Sequence, residues 1–134
     1  MGAGPAIGVD YGRVRTGFAL CRDGVVVPLE PLPSGEWRLI AGRLEELREA
    51  HSASLIVLGL PLTPSGRETE LSSEVRSLAG YLEKLGLRVE LCRESGTTQE
   101  AEALSRQAGG PGRAGRLTDS LAAVVILKRH LDIP

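Results

Sequence analysis

The sequence predicts an α/β fold: a five-stranded mixed sheet, made of a three-stranded antiparallel meander plus two parallel strands, with helices on both faces. Three observations lead there. Three short apolar runs joined by glycine-bearing turns open the chain between Ile7 and Leu29, two more apolar runs follow after residue 54, and stretches with apolar residues every three or four positions lie between and after these. Strand patterns separated by helical patterns call for parallel pairing, because a helical crossover returns the chain to the same end of the sheet.

The first run, Ile7-Gly8-Val9-Asp10, passes through Tyr11-Gly12-Arg13-Val14-Arg15 into Thr16-Gly17-Phe18-Ala19-Leu20, two antiparallel strands with a short connection. Asp23-Gly24 turns the chain into Val25-Val26-Val27-Pro28-Leu29, where Pro28 ends the ladder or marks an edge strand. Pro31-Leu32-Pro33-Ser34-Gly35 breaks the pattern, and Ser34 or Glu36 opens a helix that buries Trp37, Ile40, Leu44 and Leu47. Leu55-Ile56-Val57-Leu58 is continuously apolar, as strands covered on both faces are. A loop over 59–66 leads to a second helix with Leu71, Val75, Leu78, Leu82 and Leu85 on one face. Gly86 ends that helix, and Leu87-Arg88-Val89-Glu90-Leu91 alternates as a strand nearer an edge. Thr97 and Glu100 have capping-box spacing for a helix to about Gln107, which Gly109-Gly110-Pro111-Gly112 stops. The last helix, from about 118 to 131, is apolar all round and is therefore expected to be buried, with Asp119 in its first turn.

At 134 residues the chain is expected to form one domain spanning 1–134. Its 42% hydrophobic and 25% charged content is ordinary globular composition, and no run reaches membrane-spanning length. The N-terminal residues lack an apolar export core, so a cytoplasmic address is expected. Cys21 and Cys92 have no paired spacing and read as reduced, buried thiols rather than zinc ligands. A net charge of −1 argues against binding polyanions by bulk charge. Locally, Arg106, Arg113, Arg116, Lys128 and Arg129 face a single acid, Asp119, between 104 and 130, which suits a phosphate-bearing partner.

Asp10 is out of place in an apolar strand, since Asp is depleted there and a buried charge without a partner is costly. Glu94 follows the last strand and Asp119 opens the last helix, positions that converge in open α/β sheets, where sites form at strand ends. Three carboxylates in one cleft require raised pKa values or a cation. Mg²⁺ or Mn²⁺ fits, and two such ions about 4 Å apart would activate a water and stabilise a leaving oxygen, the chemistry of phosphodiester hydrolysis.

The motifs resemble those of the YqgF/RuvX family, bacterial nucleases of RNase H-like fold linked to Holliday-junction resolution and to maturation of the 5′ end of pre-16S ribosomal RNA. Asp10-Tyr11-Gly12-Arg13-Val14-Arg15-Thr16-Gly17-Phe18-Ala19 matches the family's D-x-G-x-K-R-x-G-x-A. Val57-Leu58-Gly59-Leu60-Pro61-Leu62 with Gly66, and Thr118-Asp119-Ser120-Leu121-Ala122-Ala123 with Ile126-Leu127, match two further motifs in order. The resemblance implies that Asp10, Glu94 and Asp119 are catalytic and hold the metal ions. It places Gly59 and Pro61 on the substrate side. Phosphate contacts are expected from Arg13, Arg15, Arg113 and Arg116. Two places depart from the family pattern. Val14 replaces the usual Lys, and Arg93-Glu94-Ser95-Gly96-Thr97-Thr98 stands for D-E-R-L-S-T, with Arg for the Asp and Ser for the Arg.

Rival readings are an actin-like nucleotide-binding fold, which needs two such domains, and a non-catalytic RNA-binding module that retains the acids. The preferred expectation is a metal-dependent nuclease acting on precursor ribosomal RNA as a monomer, with branched DNA and a dimer as the alternative. His51 and His130 are expected at helix ends, where a cation complements the dipole. Trp37 and Tyr81 are expected to pack a helix face.

Overall fold

Alternation along the first strand sends Ile7 and Val9 to one side and Ala6, Gly8 and Asp10 to the other, and the rest of the chain is layered on those two sides. The computed structural model describes residues 4–94 and 111–134, with side chains from Ser120 onward in the second stretch. Strands β1 (Ala6–Asp10), β2 (Thr16–Arg22), β3 (Val25–Leu32), β4 (Leu55–Leu60) and β5 (Val89–Arg93) form one sheet in the order β3-β2-β1-β4-β5. β1 pairs antiparallel with β2, and β2 with β3, whereas β1–β4 and β4–β5 are parallel. This is the mixed five-stranded sheet that the sequence predicts.

Helices α1 (Trp37–His51) and α2 (Glu70–Lys84) cover one face, where Ile40, Leu44, Val75, Leu78 and Leu82 meet Ile7, Val9, Phe18, Leu20, Ile56 and Leu58. Helix α3 (Pro111–His130) covers the other face with Ala123, Val124, Ile126 and Leu127, against Ala19, Cys21, Val57 and Cys92. Burial on both faces accounts for the unbroken apolar run of β4. Both cysteines are buried and free. Trp37 and Tyr81 pack together with ring centroids 5.6 Å apart. Among the described residues no helix is long and apolar enough to cross a membrane.

Several boundaries differ from expectation. β3 continues through Pro28 and Pro31 to Leu32, because it is an edge strand and a proline costs it no ladder bond on the open side. One extra β3 residue is accommodated between the Thr16–Leu32 and Phe18–Leu29 pairs. β4 extends to Leu60, which puts Gly59 inside the strand rather than in the following loop. β5 begins at Val89, with Leu87 buried just before it. α2 starts earlier than its apolar face: the Thr69 side chain caps Ser72 N–H, the Ser72 hydroxyl takes the Thr69 N–H, and Ser72 Oγ also bonds the Pro61 carbonyl. The largest difference is at α3, which begins at Pro111, so residues read as a breaker start the helix. Proline suits a first helical turn, where its missing N–H is no loss. Asp119 therefore lies in the third turn, not the first. The helix expected from Thr97 to Gln107 falls outside the described residues.

Candidate active site

Glycine decides how closely α3 approaches the sheet. A Cβ at Gly8 would stand 2.8 Å from the Ala123 carbonyl oxygen and 2.6 Å from Leu127 Cγ, so helix backbone crosses strand backbone at the centre of the sheet. The helix is oriented by its other contacts. Leu131 and Ile133 pack on the cluster that holds Ala6 and Leu55, at the start of β1 and β4. Buried Ser120 donates to the Leu29 carbonyl at 2.5 Å, and Leu29 pairs through Phe18 with Val9 near the end of β1. The backbone of Asp119, one turn before Ala123, is thus carried to the end of the sheet where Asp10 stands. The Asp119 side chain lies outside the description.

Asp10 ends β1 on the α3 face. Glu94 reaches the same face from the far side of β4: its N–H donates to the Leu60 carbonyl at 3.1 Å, one rung beyond the β4–β5 ladder. Its side chain folds over Gly59, where a Cβ would stand 2.8 Å from Glu94 Oε2 and 2.5 Å from Ile126 Cδ1. Burial, and then the charge of Asp10, push the Glu94 carboxyl up to about 8, against a smaller opposing pull from Arg129. The sheet therefore brings together Asp10 and Glu94, two acids 84 positions apart in the chain. A carboxyl that holds its proton to such a pH beside a second carboxylate fits a cation in its place, and hard oxygen donors suit Mg²⁺ or Mn²⁺. Among the described residues no third Asp, Glu, His or Cys joins the pair.

The expected phosphate contacts are placed differently. The turn after β1 is packed, with the Thr16 hydroxyl donating 2.9 Å to the Ser34 carbonyl. Arg13 turns to the α2 side, where its Nε donates 2.8 Å to Glu74 Oε2, and Tyr11 donates to the other Glu74 oxygen at 3.3 Å. Arg13 holds the Glu74 carboxyl below the usual range. Even so, 59% of the Arg13 side chain stays exposed. Arg15 lies in the same turn, and Arg113 and Arg116 are in the first two turns of α3, their side chains outside the description. Pro61 follows β4, fastened by its carbonyl to α2. His130 ends α3 and meets Glu90 of β5 at 2.7 Å, an anchor rather than a site group. Sequence reasoning did not foresee Gly59 as the seat of Glu94, or Arg129 as a charge acting on it. The signal for the first was a glycine interrupting an apolar strand, which marks a close approach.

Known proteins resemble the chain in sequence and fold. It is 36% identical over 130 residues to a protein of Syntrophus aciditrophicus named "Putative pre-16S rRNA nuclease", covering 94% of this chain and 87% of that one. A Nocardioides protein of the same name is 36% identical over 140 residues, covering 98% and 90%. Thermus thermophilus RuvC, solved with a Holliday junction substrate, superposes with a TM-score of 0.60 at 16% identity, covering 96% of this chain and 94% of that one. A fowlpox virus resolvase with its Holliday junction gives 0.51 at 11%, covering 96% and 95%. These likenesses establish a resolvase-type RNase H-like fold. The model of the RuvX family, described as Holliday junction resolvases, matches residues 4–133, and the chain belongs to that family.

Proposed function

We propose that this chain is a metal-dependent nuclease that hydrolyses phosphodiester bonds in precursor ribosomal RNA, at the 5′ end of 16S. One observation carries the chemistry: Glu94 stands half-buried on the α3 face beside the charge of Asp10, and desolvation and repulsion together favour a proton or a bridging cation there. In this reading Asp10, Glu94 and Asp119 hold one or two Mg²⁺ or Mn²⁺ ions. Bound there, the metal would supply an activated water and a counter-charge for the leaving oxygen.

The chain's own part is to place and dehydrate these carboxylates. Gly59 leaves room for Glu94 to lie against β4, and the Glu94–Leu60 backbone bond fixes where that side chain starts. Ile126 of α3 approaches the same point on β4 and covers one side of the carboxylate, which strengthens its hold on a cation. Arg13, Arg15, Arg113 and Arg116 are the candidates to receive phosphates, and Arg13 would leave Glu74 to do so. The relatives' name supports ribosomal RNA as the substrate, and in this reading the protein works in the cytoplasm as a monomer that cuts one strand at a time.

The test is cleavage of a 5′-extended 16S precursor with and without Mn²⁺, in the native protein and in Asp10→Asn. Cleavage in the native protein that a chelator abolishes and the substitution removes is expected. Cleavage surviving either overturns the metal assignment. The family description favours a second reading, junction resolution. Paired, symmetric incision of a four-way junction faster than RNA cleavage, by a protein dimeric in solution, would establish it instead.

A further inference from the structure

Arg93 ends β5 immediately before Glu94, and strand alternation sends the two side chains to opposite faces. Glu94 goes to the α3 face, while Arg93 goes to the α2 face and reaches the loop between β4 and α2. That loop is a built hairpin. Leu62 bridges to Glu68, Thr63 N–H donates 2.9 Å to the Arg67 carbonyl, and Gly66 turns the chain with φ 85°.

The arginines around this hairpin are not equally occupied. Arg76 is engaged by Glu68 through two bonds of 2.8 and 2.5 Å, and Arg13 by Glu74. Arg93 instead makes a 3.4 Å bond from one terminal nitrogen to the Gly66 carbonyl, longer than the roughly 2.7–3.2 Å of a good N–H···O bond. Its charge also helps hold Glu68 below the usual carboxylate range, though Arg76 does most of that. The side chain is exposed, and a guanidinium has several donors in a planar fork. The residue stands at the carboxyl edge of the sheet, where ligands of open α/β folds lie.

We propose that Arg93 is a substrate-contacting residue, taking a backbone phosphate of the nucleic acid on the α2 side of the edge that carries Glu94. The nuclease reading supplies the substrate's position here. Guanidinium pairs with phosphate through two parallel hydrogen bonds, which suits a donor fork held loosely by one carbonyl.

Binding of a fluorescent single-stranded RNA to the full chain, in chelator so that no cleavage intervenes, tests this across a salt titration. Arg93→Ala is expected to weaken binding about three- to tenfold and to flatten the slope of log K against log salt by about 0.7, the value of one phosphate contact on a single strand. Arg93→Lys restores most of the slope, Arg93→Asp weakens binding further, and all three melt within a few degrees of the native protein. An unchanged slope in Arg93→Ala overturns the proposal, as does a native protein that does not bind RNA in chelator. A loss accompanied by a large fall in Tm that Lys does not rescue overturns it too, because Arg93 would then only latch the hairpin. Because binding is read without metal, Arg93 is tested separately from cleavage: RNA binding that depends on Arg93 without any metal-dependent cleavage would remove the nuclease and leave this contact.

Discussion

A methyl group at position 59 would stand 2.8 Å from Glu94 Oε2 and 2.5 Å from Ile126 Cδ1, inside contact distance of both. Ile126 is walled in by α3, so the carboxylate is the group free to swing away. Gly59→Ala is therefore expected to cost activity far more than stability: about a hundredfold in kcat/KM, the scale set by displacing a catalytic group by roughly 1 Å. Its Tm should fall only a few degrees. Steady-state cleavage beside a melting curve checks this, and native activity in the variant would show that Glu94 need not lie against β4. Asp10→Asn acts on the same carboxyl through charge. Burial remains, so Glu94 stays above its ordinary value, but the repulsion from Asp10 is gone and ionising Glu94 becomes less costly. At neutral pH the metal-free variant should be more stable than the native protein and inactive. Chemical denaturation in chelator reads the first effect and cleavage the second.

Among the elements, α3 depends on one missing side chain. Gly8→Ala sets a Cβ 2.8 Å from the Ala123 carbonyl, and backbone cannot move aside as a side-chain tip can. Lifting α3 should cost about 1–3 kcal/mol, the range for overpacked cores, seen as a lower urea midpoint with an unchanged slope. A midpoint equal to the native one would mean that α3 does not lie on β1. The sequence made α3 legible from its all-round apolar pattern over 121–127, and β4 from its unbroken apolar run. It misjudged where α3 begins, because glycines and a proline at 109–112 read as a stop when only tertiary packing decides that a helix starts there. β3 was cut short for a related reason. Pro31 reads as a breaker until the strand is known to be an edge, and edge position is a property of the sheet, not of the segment. The seat of Glu94 was hidden for the same cause: Gly59 and Glu94 meet only across the parallel β4–β5 pair, which no local window spans.

For the molecule as a whole, ionisation ties folding to metal binding. Glu94 titrates near about 8 in the folded chain against an ordinary 4.5, so between those values the folded state binds more protons than the unfolded one. Stability from this group is full below about pH 4.5 and is lost as pH rises through about 8, at no more than roughly 1.4 kcal/mol per pH unit. Glu68, Glu74 and Glu90 are shifted the other way by Arg76, Arg13 and His130, so their contributions are present above the usual carboxylate range and are lost as pH falls below it. These acids are largely exposed and add little, and the decline between about pH 4.5 and 8 belongs to Glu94. A cation binds the ionised carboxylates and stabilises the fold by RT ln(1 + [L]/Kd), so the rise in Tm on adding Mn²⁺ should be small at pH 5 and largest near pH 8. Asp10→Asn should lose most of that rise at every pH. A rise in Tm equal at pH 5 and pH 8, or one retained in Asp10→Asn, would place the cation elsewhere on the chain and leave the Asp10–Glu94 pair to be held by a proton alone.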